Sequence, residues 1–323
     1  MNIEFHYYLT KYLALEAGFE EDEAEIIAYS SQYVDDNYTE YKIKISKDDY
    51  YENSTTQFKD ILKPEQKNLR RNIIFHYLPG DPTSPKVRRK DGKMHVLMTT
   101  VASSHAQELF FESTKNEDLY GLGIASHMLA DTFSHQNFIG SEEIMNSMNS
   151  PAGELKRIIG HSDAELKPDI PNLIWFDKRL INKYEEVNNK ERLIFAANKL
   201  YSNYQFLTSF PSKWNKVKKT INSLITDEIN ETEMNKIIPQ QLSRINNYKK
   251  LLEEYDTITT YDPKSWLSEA VEEDVNLNKQ NYTSKKNFKN SNWYKFQEAA
   301  KNYENLALTK LEQLFVDLDI ENW

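Results

Sequence analysis

Hydrophobic positions recur at helical spacing along most of this chain. Residues 3–17 (IEFHYYLTKYLALEA) place them on one face, and Gly18 follows as a C-cap. Residues 21–34 start acidic and turn apolar, the polarity a helix N-terminus favours, and Asp35 and Asp36 close the segment. Further helices are predicted over 65–77, 94–114, 118–134 and 151–166. The stretch 118–134 (DLYGLGIASHMLADTFS) is apolar nearly all round and reads as buried. From residue 177 onward the spacing predicts amphipathic helices over 178–208, 211–227, 231–256, 264–274 and 291–318. Residues 38–60, with the alternation YKIKI, suggest a short strand or an extended loop; the polar 275–290 reads as a loop. The pattern predicts an all-α fold. A helical core over 1–175 would carry additional C-terminal helices, 176–323, packed on it as one continuous domain.

Composition agrees with helices: 323 residues hold only 8 Gly and 10 Pro, while aromatics reach 12% with 20 Tyr, so much of the core should be aromatic. The net charge is −10, which disfavours a stable nucleic-acid complex. The absence of cysteine removes disulfides and thiolate metal sites. Residues 1–20 lack the features of a signal peptide and no run of 18 apolar residues occurs, so the expectation is no transmembrane segment. The expected location is cytoplasmic as the chain stands, or secreted if a signal has been removed from it.

Histidine changes the picture. All seven (His6, His76, His95, His105, His127, His135 and His161) lie in the first half, and histidine is the commonest nitrogen ligand of zinc-like metals. His127, Asp131 and His135 follow one another at i, i+4 on one helix, within an arc of roughly 80°. A buried carboxylate on so apolar a helix is costly unless it is paired or metal-bound; a hydrogen-bonded Asp–His pair is the ordinary alternative. His161 and Glu165 repeat the spacing, with Asp163 between them. His6 sits on the first apolar helix and His76 ends another. His95 and His105 have only Glu108 and Glu112 near them at helical spacing and stay outside the candidate set.

Read in order (His6, Asp35 or Asp36, His76, His127-xxx-Asp131, His135, His161-xxx-Glu165), these residues resemble the ligand series of the zinc-dependent phospholipase C / P1 nuclease superfamily. FHYYLTKYLALEAGF, SSQYVDD, HMLADTFSHQNFIG and GHSDAELKPDIP look like an uncharacterised bacterial subfamily related to it. The resemblance covers about residues 1–175. It implies a helical bundle holding two or three Zn²⁺ ions, other divalent metals being compatible with such ligands. His76, His127, Asp131 and Asp35 or Asp36 would hold one ion. His135, His161 and Glu165 would hold a second. His6 and a bridging Asp131 would hold a third, which in that superfamily the N-terminal amine and carbonyl complete, here at Met1. One departure is that His135 follows Asp131 by four residues where the superfamily leaves about six, so His135 either ligates from a distorted helix end or lies behind the ligands.

The implied activity is hydrolysis of a phosphodiester or phospholipid by a metal-activated water, with Asp35 or Asp36 as base or ligand. Arg88 and Arg89 are candidates to grip the phosphate bidentately. Tyr7, Tyr77 and Phe138 are candidates to stack on a base or line a lipid pocket. The alternative is a non-catalytic, metal-stabilised binding or toxin-like module, in which the Lys/Asn-rich second half serves as an interaction arm.

Overall fold

The computed structural model describes residues 1–58, 69–148, 158–225, 227–257, 259–276 and 279–320. A π-helical turn, Glu4–Leu9, runs into α1, Thr10–Glu16. α2, Glu21–Asp36, starts at a reciprocal capping box between Glu20 and Glu23. After the short strands β1, Lys42–Lys44, and β2, Tyr50–Glu52, come α3, Leu69–His76, and α4, Ser104–Ser113. α5, Leu119–Ser134, starts where the Asp118 carboxylate accepts the backbone N–H groups of Tyr120 and Gly121. β3, Leu173–Phe176, and β4, Glu186–Asn188, precede α6, Asn189–Thr208, and α7, Trp214–Leu224. The chain closes with β5, Ile229–Asn230; α8, Ile237–Glu253; α9, Ser265–Ala270; β6, Val271–Asn276; β7, Lys279–Ser284; and α10, Asn292–Asp317.

The all-α expectation is overturned. The strands form two small mixed sheets, one of four strands ordered β2-β1-β7-β6 and one of three ordered β4-β3-β5. Two features hid them from the helical period. The strands are short, and several carry polar residues along exposed edges, so their apolar signal is weak. The polar segment read as a loop over 275–290 instead contains β7, which pairs antiparallel with β6 and parallel with β1. The helix predicted over 264–274 stops at Ala270 and continues as β6, and the one predicted from 178 begins at Asn189. The helix predicted from 94 begins at Ser104, capped by the Ser103 hydroxyl, which accepts the Ala106 N–H. Of the segment 151–166, residues 151–157 lie outside the described residues; the rest holds a 3-10 turn, Ser162–Ala164, and no α-helix. The alternation at YKIKI does form a strand.

α5 is the central element, buried along nearly its whole length and packed by α2, α3, α4, α6 and α10. Its approach to α2 depends on Gly123. A Cβ there would lie 2.4 Å from the Ile27 carbonyl oxygen and 2.5 Å from Ser30 Cβ. His127 is one turn along from Gly123, as Ser31 is from Ile27, so the same contact seats His127 against α2. The second half of the chain closes around this core. Arg244 of α8, itself buried, grips Glu4 of the π-turn through two hydrogen bonds of 2.6 and 2.9 Å. Trp293 and Gln297 of α10 donate to Tyr33 and Asn37 at the end of α2. Among the described residues no helix is long and apolar enough to cross a membrane.

Candidate metal centre

Three groups of possible ligands lie side by side: His6, His127 and Asp131; Asp35, His76 and His127; His135, His161 and Asp169. α5 supplies the middle of the cluster. His127 and Asp131 stack one turn apart, and His127 Nε2 lies 3.2 Å from Asp131 Oδ2. His135 is the first residue past α5, at its C-cap, and this departure from helical geometry turns its ring toward His161 and Asp169. α2 delivers Asp35 from its last turn and α3 delivers His76 as its last residue. The π-turn delivers His6, whose ring stacks on His127 with centroids 3.9 Å apart. A π-turn holds one extra residue, a device found disproportionately at functional sites.

The ring nitrogens carry the decisive information. His127 Nδ1 lies 2.8 Å from the Ser31 carbonyl oxygen and His76 Nε2 lies 3.0 Å from that of Thr56. His135 Nδ1 lies 2.9 Å from the His76 carbonyl and His161 Nδ1 lies 2.7 Å from that of Glu165. A carbonyl only accepts, so each of these four nitrogens carries the proton and donates, and in a neutral ring the other nitrogen carries a lone pair. Those second nitrogens converge. His127 Nε2 and His76 Nδ1 stand 3.1 Å apart. His135 Nε2 and His161 Nε2 stand 3.1 and 3.0 Å from the two oxygens of Asp169. Facing lone pairs repel unless a cation lies between them. Two nitrogens on a tetrahedral zinc ion are about 3.3 Å apart, given bonds of about 2.0–2.1 Å. A carbonyl behind each imidazole is also the usual outer support of a histidine metal ligand. His6 adds a second sign: both its ring nitrogens are buried without a hydrogen bond, although Nε2 lies 3.2 Å from Asp131 Oδ1. The residues present therefore fit a multinuclear metal site.

Electrostatics follow from this crowding. Burial works against the charge of Asp131, but His135, the Met1 amine and His127 outweigh it and hold the carboxyl well below the usual carboxylate range. Burial raises Asp35, and neighbouring Asp131 adds to the rise. Burial pulls the Met1 amine down, yet Asp131, Asp169 and Asp35 more than reverse this and push it up to about 10. That nitrogen hydrogen-bonds to Asp131 Oδ1 and to Ser134 Oγ, and lies 3.1 Å from Asp169 Oδ1.

The remaining candidates separate. Asp35 faces the histidines, 3.7 Å from His76 Nδ1 and 3.8 Å from His127 Nε2. Asp36 points away, accepting from Tyr261 and Gln32. Glu165 is exposed and contributes its carbonyl, while Asp169 takes the place expected of it. Asp169 ends a 3-10 turn, Lys167–Asp169, so the i, i+4 rule could not find it; its position between Pro168 and Pro171 was the available hint of a fixed turn. Asp163 accepts from the Met148 backbone and the Ser147 hydroxyl, bracing a loop. Arg89 is buried in a bidentate pair with Asp91 and donates to the Met145 carbonyl, leaving no fork for a phosphate. Arg88 is exposed and stacks over Tyr184. Tyr77 stacks on His135 and its hydroxyl accepts the His161 N–H, while Tyr7 and Phe138 are core residues.

A family described only as one of unknown function, DUF6765, matches residues 1–311. The chain belongs to this family. The match takes in every ligand group described above and both small sheets. No curated protein and no solved structure matches the chain.

Proposed function

We propose that the protein is a metal-dependent hydrolase of phosphodiester or phospholipid bonds, with two or three zinc ions at this centre. The observation that carries the metal is the convergence of ring nitrogens whose protons are held on the far side by carbonyls. The order of ligands along the chain, similar to that of the phospholipase C / P1 nuclease superfamily, supports the reaction class. Bound divalent ions would supply positive charge for a phosphate and a water acidic enough to ionise near neutral pH.

The chain's own residues divide the remaining work. Asp131, with a side chain 2% exposed, orients His6 and His127, and its neighbours favour its ionised form. Asp35, 29% exposed, is the acid of this group that solvent reaches, which suits it to hold an ion or to act as base toward an attacking water. His161 and Asp169, 15% and 14% exposed, line the open side of the other group.

Metal analysis of purified protein together with turnover of bis-p-nitrophenyl phosphate and p-nitrophenylphosphorylcholine tests this reading. Two or three equivalents of zinc, and turnover lost on chelation and restored by zinc, are expected. Protein without metal would overturn the metal centre. Metal without turnover on either ester would overturn the hydrolase and leave a metal-stabilised helical protein.

A further inference from the structure

A cavity of about 770 Å³ lies beside the C-terminal end of α5, bounded by the loop after β3, the start of α6 and the segment around Arg88. Phe133, Gln136 and Asn137 line it, whereas Asp131 and His135 of the same stretch belong to the metal-ligand groups. It is distinct from the candidate metal centre and stands without the reading proposed for it.

Its charge opposes that of the whole. Five cationic side chains line it (Lys86, Arg88, Lys183, Arg192 and Lys199) against the two acids Glu186 and Glu191, a balance of +3 in a protein of net charge −10. None of the five forms an ion pair among the described residues, although carboxylate partners are common elsewhere on the molecule. Arg88 and Lys183 instead sit over the Tyr184 ring, 3.8 and 5.0 Å from its centroid. Arg192 donates to the Ser134 carbonyl. Burial draws the Arg192 guanidinium down to about 10, with Asp177 opposing and Arg179 adding to that shift, so an incoming anion would relieve it. Between the charges the walls are mixed: Phe133, Leu180, Val187 and Phe195, the last 63% exposed, give apolar surface, and Gln136, Asn137 and Asn188 are neutral and polar.

A concavity of this size with partly apolar walls and a few convergent charges has the character of a small-molecule site. A basic track running along the surface would suit a polyanion; cations gathered around one half-open concavity suit one small molecule. We infer that this cavity binds an amphiphilic organic anion, a phosphate or carboxylate head carried on an apolar body, the head against the cations and the body against Phe133 and Phe195. The anion is either a single-chain lipid or a compact aromatic acid.

Calorimetric titration of the full-length protein with decane-1-sulfonate below its micelle concentration, and with naphthalene-1-sulfonate, tests the inference. Sulfonates are poor metal ligands, so binding reads this cavity and not the metal centre. At least one is expected to bind, and the tighter of the two identifies the body; failure of both overturns the proposal. Sodium sulfate is expected to bind at least about ten-fold more weakly than the better sulfonate, because the apolar walls then contribute nothing. Equal binding of sulfate would overturn the amphiphile. The double variant Lys183→Glu/Lys199→Glu should weaken binding about ten-fold or more, whereas Lys218→Glu/Lys219→Glu, an equal change of net charge on exposed α7, should change it less than about two-fold. Equal losses in the two variants would reduce the effect to overall charge and overturn the site. Thermal melts of both variants show whether each remains folded; should the first not fold, Arg88→Glu at the exposed rim replaces it with the same expectation, and Lys218→Glu alone, an equal change of net charge, becomes its control.

Discussion

The two sides of the candidate metal-ligand cluster are built in different ways. His127 and Asp131 are held by the packing of two long helices, α2 and α5, whose contact is set by a glycine and a row of apolar side chains. His161 and Asp169 stand on 3-10 turns, where there is little helix to pack. Polar anchors hold that side instead. Asn146, fully buried, accepts from Ile139 N and donates to the carbonyls of Ile139, Ser141 and Ile158. Arg179 forks onto Asp177 and donates to the Met145 and Asn146 carbonyls. Gly160, at φ +54°, lets the chain pass the Tyr77 hydroxyl, which a Cβ would meet at 2.4 Å. Rigidity at a site can come from a hydrophobic interface or from a network of satisfied hydrogen bonds, and the two fail under different changes.

Asp131→Asn should have the largest effect. It removes the charge shared by His6, His127 and the Met1 amine, so the protein should lose at least one equivalent of zinc by elemental analysis, and ester turnover should fall by at least about 100-fold. Asp169→Asn should lower metal affinity about 10- to 100-fold, measured by competition with a chelator, while Glu165→Gln should leave it unchanged. The reverse outcome would return the second group to the pairing expected from sequence spacing. Gly123→Ala should separate α2 from α5 and cost about 1–3 kcal/mol in denaturant unfolding. An unchanged midpoint would show that the helix side is not set by this contact.

The smallest effect probes the polar side through pH. Burial raises the Asp177 carboxyl, but the hydrogen bonds and charge of Arg179 outweigh it and hold it below the usual range. A lowered carboxyl contributes stability that is present above its unfolded pKa of about 3.9 and fades as pH falls through the lower folded value. The difference in melting temperature between the wild type and Asp177→Asn should therefore be constant near neutrality and shrink below about pH 4. A difference that grows on acidification would contradict that sign.

The contrast also explains what could be read from the sequence. α2 and α5 carry clear periodicity, so their existence and the i, i+4 placement of His127 and Asp131 on α5 were legible, and His6 and His76 could be named as candidates beside them. The choice between Asp35 and Asp36 was not, because it depends on the rotation of the last turn of α2 against Tyr261 of the other half. Asp169 was hidden because a 3-10 turn has no extended period to reveal it. Apart from the strand suggested at YKIKI, the strands were missed for a related reason: their pairing is non-local, and segments such as β6 and β7 carry no apolar alternation that marks them.

The carbonyls behind the histidines have a genetic consequence. Ser31 and Glu165 act on the cluster through main-chain atoms that every amino acid possesses. A saturation mutagenesis map would show intolerance at His127 and His161 whatever the replacement, whereas the fully buried Ser31 should accept other small residues and Glu165, at φ +55°, should accept glycine best, their side-chain chemistry being immaterial to the carbonyl. Proline is the informative exception at Ser31, since its ring would disturb the last turns of α2 and move the carbonyl without touching a ligand.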